Sequence, residues 1–458
     1  MQRDYELIDC TISICPDCLK RVDAKIINRE GRVFLRKHCP EHGEQEELLE
    51  DDAEYYSKRF EYNKPGTICK SQTIRDKGCP FDCGLCPDHD QHTCIGLIEV
   101  TQNCNLCCPT CYASSIQSEK YLSLDKIEEM LDFFIDTEGG SAEILQISGG
   151  EPTLHPQIID IIKLVRTKNI QYVMLNTNGL RIAEDEEFVK ELSQFKGKFE
   201  IYLQFDGFKP ETYMHLRGKD LLSIKRKAID NLNKYKIPIT LVSVIEKGIN
   251  DDEVGQIACF GMETLGIRGI NFQPLAFFGR KNIIDVKNRV TLTGIISQID
   301  DQTKGIIRKE DFIPLPCNID RVALTYFYRI GDKLTPLVRG LDIRECLPAI
   351  RNTFKFNPED FLKDLADNAI SKKGGCCNYL SLLNKARGII PKSYFLKSEE
   401  EKLDYVTENT FRISISSFVD VYNFDMKSMK KECVHIITPE LKKIPFSSYN
   451  MFHRGKWT

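Results

Sequence analysis

Two stretches of this chain carry three cysteines at one spacing: Cys79-x3-Cys83-x2-Cys86 in GCPFDCGLCPDHDQHTC, and Cys104-x3-Cys108-x2-Cys111 in CNLCCPTCYA. Three thiolates on one loop can hold three corners of a cubane 4Fe-4S cluster, and a fourth protein ligand, or its lack, decides whether one iron stays open. Cys94 stands downstream of the first triplet as a fourth thiolate. The x3-then-x2 spacing differs from the paired x2 knuckles of zinc ribbons. Knuckles of that kind occur nearer the start, as Cys15-Pro16-Asp17-Cys18 and Cys39-Pro40-Glu41-His42-Gly43. They predict one mononuclear Zn or rubredoxin-like Fe held by Cys15, Cys18, Cys39 and His42, with Cys10 competing for the fourth place. Thirteen of the 19 cysteines fall within the first 111 residues, which points to metal binding rather than core packing.

These loops need a scaffold, and the stretch after Cys94 provides one. The apolar run CIGLIEVTQN leads into the second triplet. Helix-like LDKIEEMLDFFIDT then precedes strand-like EILQIS, QIIDIIKLVRTK precedes YVMLN, and EDEEFVKELSQF precedes FEIYLQFD. LLSIKRKAIDNLNKY precedes PITLVSVIE, and DEVGQIACFGMETLG precedes GINFQP. Alternation of this kind predicts an α/β fold with a parallel sheet, here a partial (β/α)6 barrel. Such folds place their sites at the carboxyl ends of the strands. Cys104, Gly149 to Pro152, Asn176 to Gly179, Gln204 to Gly207 and Gln273-Pro274 all leave strands there. Earlier, AKIINREGRVFLRKH reads as a hairpin turning at Arg29-Glu30-Gly31, and EDDAEYYSKRFEYNKPG as a helix ending near Pro65.

Composition narrows the partners. With 458 residues, 41% hydrophobic and 28% charged, the chain can bury a sizeable core. A formal net charge of −4 gives no bulk attraction to nucleic acid, and none is expected as a partner. No run reaches the ~18 apolar residues of a membrane span, and MQRDYELIDC lacks the blocks of a secretory signal, so a cytoplasmic protein is expected. Peripheral membrane contact stays open.

CNLCCPTCYA followed by ISGGEPTLHP, NTNG and LQFDG resembles the radical S-adenosylmethionine (SAM) superfamily over about residues 95–290. The resemblance implies that Cys104, Cys108 and Cys111 hold a 4Fe-4S cluster whose open iron is chelated by SAM, with Cys107 a bystander. It implies that Gly149, Gly150 and Glu151 contact the methionine amino group, that Asn178 and Gln204 also touch SAM, and that Tyr112 lies near the adenine. The implied chemistry is reductive cleavage of SAM to a 5′-deoxyadenosyl radical that takes hydrogen from an sp3 carbon, with a low-potential electron donor as partner.

The whole layout, including the tail DVYNFDMKSMKKECVHIITPELKKIPFSSYNMFHR, is similar to the group containing archaeal tetraether lipid synthase and the 7,8-dihydro-6-hydroxymethylpterin methyltransferases. On that pattern Cys79, Cys83, Cys86 and Cys94 hold an auxiliary cluster, giving at least two 4Fe-4S clusters, SAM and one mononuclear Fe or Zn. His89 and His92 are alternative ligands or solvated loop residues. Four segments follow: a metal-ribbon domain over 1–60, an auxiliary-cluster segment over 61–95, the radical SAM core over 96–290, and a C-terminal α+β extension over 291–458. Ser447 stands where the group commonly has Cys. A C-terminal cluster from Cys317, Cys346, Cys376, Cys377 and Cys433 competes with buried free thiols. Cys10, Cys69, Cys107 and Cys259 are read as structural, and Tyr449, Asn450 and Arg454 as a packed tail or as substrate contacts.

Three functions result. The first is a radical SAM enzyme that forms a C–C bond, with lipid chains as substrate and Leu275, Phe277 and Phe278 lining a hydrocarbon tunnel. The second is a radical SAM methyltransferase of a dihydropterin or other small metabolite, which needs a polar pocket of a few hundred Å3. The third is a non-catalytic iron-sulfur electron-transfer protein.

Overall fold

The fold is taken from a computed structural model, which describes residues 4–67, 70–280, 289–330, 333–341, 343–354, 358–371 and 392–454. Cys69, Cys376 and Cys377 lie outside the described residues.

Strands β1 (Glu6–Ile14), β2 (Arg21–Arg29), β3 (Arg32–Cys39) and β4 (Gly43–Glu50) form an antiparallel sheet in the order β1-β2-β3-β4. The hairpin between β2 and β3 turns at Glu30 and Gly31, both with positive φ (54° and 77°), the backbone that a two-residue loop between twisted strands requires. Alternation in β2 buries Val22, Ala24 and Ile26; Ala24 and Ile26 join a small core with Val33, Leu35 and Tyr56, while Val22 packs with Cys15 and Cys39. The expected following helix spans Ala53–Lys58, capped by the Asp52 side chain, and runs into a tighter turn over Arg59–Tyr62.

The second sheet has six parallel strands at its centre: β5 (Ile95–Glu99), β6 (Ala142–Ser148), β7 (Ile170–Thr177), β8 (Phe199–Gln204), β9 (Ile239–Ile245) and β10 (Ile267–Pro274). They pair in sequence order, as repeated βα units demand. β9 reads ITLVSVI and is buried at six of seven positions, because helices cover one face and side chains fill the other. The helix Leu124–Thr137 shows how the cover is built. Ser123 caps it, and Ile127, Met130, Leu131 and Phe134 recur at helical spacing on the buried face. Each such side chain contributes roughly 1.5–3 kcal/mol.

The C-terminal segment continues this sheet at both edges instead of standing apart. β11 (Ile313–Pro314), β12 (Val322–Ile330), β13 (Lys333–Pro336) and β14 (Thr410–Ser416) extend it beyond β10, with β14 parallel to β10. At the other edge β15 (Val434–Ile437) lies parallel to β5 and pairs with β16 (Lys443–Pro445).

The ribbon sheet docks on the same body. Glu50 of β4 accepts hydrogen bonds from the backbone N–H and hydroxyl of Thr293, at 2.8 and 2.7 Å, and burial raises its carboxyl to about 7. Lys37 is fully buried and donates to the carbonyls of Ile14 and Tyr422, both at 2.9 Å, while burial lowers its ammonium to about 8. Among the described residues no helix is long and apolar enough to cross a membrane.

Candidate active site and metal centres

Cys104, Cys108 and Cys111 sit on the loop that leaves β5, and contacts with Tyr121, Ile116, Leu216 and Arg280 shape that loop. Isolated bridges join Thr101 to Tyr121 and Asn103 to Ile116. The Thr110 hydroxyl donates to the Leu216 carbonyl (3.0 Å), and Arg280 donates from its backbone to the Cys111 carbonyl and from Nη1 to that of Cys108. The three thiols face one cavity of about 280 Å3, which Gly149, Gly150, Glu151, Asn178 and Gln204 also line. Cys107 is exposed. Burial pushes the Cys104 thiol up to about 12, so the thiolate form needs a cation that displaces its proton, which iron supplies.

Arg217 was not singled out from sequence, and Asp206 only as part of the Gln204 to Gly207 turn. Their guanidinium and carboxylate form a two-bond buried pair, at 2.6 and 2.8 Å, and Arg217 reaches the Cys108 thiol, opposing the rise that burial causes there. Gln204 Nε2 donates to Asp206 Oδ2 (2.6 Å), and Lys225 Nζ donates to Gln204 Oε1 and to the Asn178 carbonyl. Gln204 and Asn178 thereby join the cavity wall to buried charge. The only sequence signal for this set was the polar run Gln204 to Gly207 at the end of β8.

The Gly149-Gly150-Glu151 segment is laced to the start of the cysteine loop. Gly150 and Glu151 N–H groups donate to the carbonyls of Thr101 and Asn103, at 2.8 and 2.7 Å. Gly149 has φ +141°, and a Cβ there would lie 2.2 Å from the Thr101 carbonyl oxygen; at Gly150 it would lie 2.3 Å from that of Asn103. Gly150→Ala is therefore expected to push the cysteine loop outward. It should weaken SAM binding at least about tenfold while leaving most secondary structure intact, to be read by anaerobic equilibrium binding and circular dichroism. Unchanged affinity would mean that the close approach is irrelevant to SAM.

Glu151 is buried, and donors of the chain itself hold its carboxylate. Oε1 accepts from the Thr153 N–H (3.1 Å), the Thr153 hydroxyl (2.6 Å) and the Thr177 hydroxyl (2.7 Å); Oε2 accepts from the Asn178 N–H (2.7 Å). The carboxylate thus ties the loop after β6 to the turn after β7, and Oε2 keeps one acceptor site for a ligand.

Tyr112 lies in the cavity wall against Phe446, with ring centroids 5.2 Å apart. The Arg454 guanidinium stands over the rings of Tyr112 and Tyr449 and forms a two-bond pair with Glu99 at the end of β5 (2.7 and 3.1 Å). Asn450 accepts from Arg454 Nε. The tail is packed as a strap across the barrel mouth, with Tyr449 and Asn450 buried. Arg454→Ala leaves the Glu99 carboxylate buried without its partner and should cost about 3 kcal/mol in denaturant unfolding. Adding Glu99→Gln should recover part of that loss; no recovery would show that packing, not charge, is what Arg454 supplies.

The remaining cysteines separate into distinct places. Cys15, Cys18, Cys39 and His42 bring their ligand atoms within 4.8 Å of one another, with His42 Nδ1 3.5 Å from both Cys15 and Cys39 sulfurs. Cys10 is exposed on β1 and is not one of this group. In the first triplet, Cys83 Sγ lies 2.9 Å from the Ser448 hydroxyl. Cys94 departs from the expectation that it serves that triplet: its N–H donates to the Cys433 carbonyl (3.0 Å), and its sulfur groups with those of Cys317 and Cys433. Pairing of β5 with β15 brings Cys94 there. Cys346 is buried in a separate apolar cluster with Leu341 and Leu365, and Cys259 is half-buried.

Neither His89 nor His92 is a solvated loop residue. His89 Nε2 lies 3.1 Å from His435 Nε2 and burial lowers its imidazole to about 4; His92 Nε2 lies 3.7 Å from the Cys94 sulfur and 3.4 Å from a Glu143 oxygen. Ser447 uses its hydroxyl to accept from the Val419 N–H.

Comparison with known proteins places the chain in a family. A family model described as the radical SAM superfamily matches residues 98–260, and one described as the HMPTM N-terminal zinc ribbon domain matches residues 7–51. The chain is 35% identical to a 7,8-dihydro-6-hydroxymethylpterin dimethyltransferase of Methanocaldococcus jannaschii, across 97% of this chain and 94% of that one. A probable GTP 3′,8-cyclase of Thermococcus kodakarensis is 29% identical over 36% of this chain and 52% of its own. Among solved structures, Streptococcus suis SuiB bound to S-adenosylmethionine superposes with a TM-score of 0.36 at 16% identity over 44% of each chain.

Proposed function

The chain belongs to the radical SAM superfamily and, within it, to the family of the 7,8-dihydro-6-hydroxymethylpterin dimethyltransferase, and from that premise we propose that it is a radical SAM methyltransferase acting on a reduced pterin. What carries the choice of substrate class is the near-full-length similarity to that dimethyltransferase, together with a cavity of about 280 Å3 lined by the polar residues Gln146, Asn176, Asn271, Gln273 and Arg412. Amide and guanidinium groups of this kind suit the amino, ring N–H and carbonyl groups of a pterin edge, and an alkyl chain would make no use of them. Leu275 and Phe278 do line the cavity, but the Phe277 ring lies under the Arg289 guanidinium and against Tyr422. An electron-transfer protein has no use for such a cavity.

The three thiols of one loop, the glycine cradle and the adjoining cavity fit a 4Fe-4S cluster with SAM. Bound there, the two supply a carbon radical able to take hydrogen from an unactivated carbon. The chain does the rest. Cys104, Cys108 and Cys111 hold the iron, Arg217 sets the charge around Cys108, and the Gly149–Gly150 backbone with the free acceptor site of Glu151 receives the ammonium of SAM. The tail strap and the flanking strands exclude water from the reacting carbon. A low-potential donor supplies the electron and a reduced one-carbon carrier the methyl group.

The test uses anaerobically reconstituted protein with SAM, dithionite, the one-carbon carrier and 7,8-dihydro-6-hydroxymethylpterin. Pterin-dependent growth of 5′-deoxyadenosine together with a pterin product heavier by a methylene unit is expected. SAM cleavage indifferent to the pterin, or responsive to lipid chains instead, would overturn the assignment.

A further inference from the structure

The tight grouping of Cys94, Cys317 and Cys433 is unlike that of either triplet. Their sulfurs lie within 4.8 Å of one another, with Cys317 and Cys433 3.7 Å apart, and all three side chains have no exposed surface. The ribbon site has the same spacing, 3.8 Å between the sulfurs of Cys18 and Cys39. A tetrahedral ion with metal–sulfur bonds of about 2.3 Å places its thiolates about 3.8 Å apart. Thiolates on different irons of a cubane stand farther apart, at about 6 Å. Among the described residues neither triplet forms a group as tight as 4.8 Å.

Three remote segments converge to make this group. Cys94 immediately precedes β5, Cys433 immediately precedes β15, and Cys317 lies in the turn between β11 and β12. The Cys433 carbonyl accepts from the N–H groups of both Cys94 and Ile95, at 3.0 and 3.2 Å. The Cys317 turn is closed by Asn318 N–H to the Leu315 carbonyl (2.9 Å) and Val322 N–H to the Asn318 carbonyl (3.0 Å). These hydrogen bonds fix the backbone around the sulfurs. Around them the packing is apolar, from Leu315, Val322 and Leu324. His92 lies outside this group: its Nε2 is 3.7 Å from the Cys94 sulfur and 3.4 Å from a Glu143 oxygen, and it forms a separate set with those two residues.

We propose that Cys94, Cys317 and Cys433 are ligands of a second mononuclear tetrahedral metal centre, taking zinc or ferrous iron, with the fourth position filled by a small exogenous ligand such as water. The centre lies at the amino-terminal end of β5, away from Cys104, and cross-links the last segments of the chain to the first strand of the barrel. Its role is to lock the C-terminal strands onto the barrel edge, as structural ions do.

The test is made on the full chain, with metals and acid-labile sulfide measured per chain in the wild type, Cys317→Ala, Cys433→Ala and, as a control, Cys39→Ala. Alanine is chosen because it leaves a methyl in an apolar surround, and two separate sites are tried in case one variant fails to fold. Each of the first two variants should lose about one equivalent of zinc or iron with no loss of sulfide, retain the ribbon metal, and unfold at lower temperature. Cys39→Ala should lose a different single equivalent. Cobalt loaded into the wild type in place of zinc should give the visible bands of tetrahedral thiolate coordination, weakened in each variant. Unchanged metal content in both core variants, loss of about four irons together with sulfide, or a Cys317–Cys433 disulfide in non-reducing peptide maps would overturn the proposal.

Discussion

Cys108→Ala is expected to reduce 5′-deoxyadenosine formation from SAM roughly a thousandfold or more, with loss of one cluster's worth of iron and sulfide. Two thiolates from the loop cannot hold three corners of a cubane, and no side chain can supply the electron in its place. The fold should survive. Cys108 is only half-buried, its loop is held by Thr110, Arg280 and the bridges from Thr101 and Asn103, and none of those contacts uses its sulfur. Cys107→Ala serves as the matched comparison, because that residue is exposed one position away. It should leave both iron and cleavage unchanged. Cleavage that persists in Cys108→Ala would sink the assignment of the second triplet, whatever substrate the enzyme uses.

Glu151→Ala is expected to destabilise the protein by about 3–5 kcal/mol and to abolish SAM binding. The carboxylate receives four donors, the N–H and hydroxyl of Thr153, the hydroxyl of Thr177 and the N–H of Asn178. Removing it leaves buried donors unpaired at roughly 1–3 kcal/mol each, partly offset where a hydroxyl can turn or a water can enter. The loops after β6 and β7 then lose their common anchor. Glu151→Gln gives the sharper comparison. Its oxygen can keep the three donors of Oε1, but its NH2 then faces the Asn178 N–H, so a smaller loss of about 1–2 kcal/mol is expected. Denaturant unfolding of both variants, read beside SAM affinity, checks the order. If the glutamine variant falls as far as the alanine variant, charge rather than donor count governs the site.

The electrostatics under the cysteine loop were hidden in the sequence for a definable reason. Asp206, Arg217 and Lys225 lie on separate turns and helices, and an acidic residue followed eleven positions later by an arginine is an ordinary surface pattern. Only folding shows that all three are buried and converge beneath Cys108 and Gln204. The same holds for Arg454 and Glu99, which are 355 positions apart and meet because the tail crosses the end of β5.

What the sequence determined by itself was local. Cys104-x3-Cys108-x2-Cys111 puts three ligands on one loop, the knuckles at Cys15 and Cys39 do so on two hairpins, and alternating helical and strand periods specify six parallel strands in order. Each of these is a short-range pattern, so spacing alone reveals it. What the tertiary structure decided was every arrangement that depends on sheet pairing between remote segments. Because β15 adds beside β5 and β12 returns beside β14, Cys94 meets Cys433 and Cys317 instead of its neighbours in sequence, and the C-terminal strands complete the barrel sheet. The register of such pairings is set by packing across hundreds of residues, for which no local spacing carries a signal.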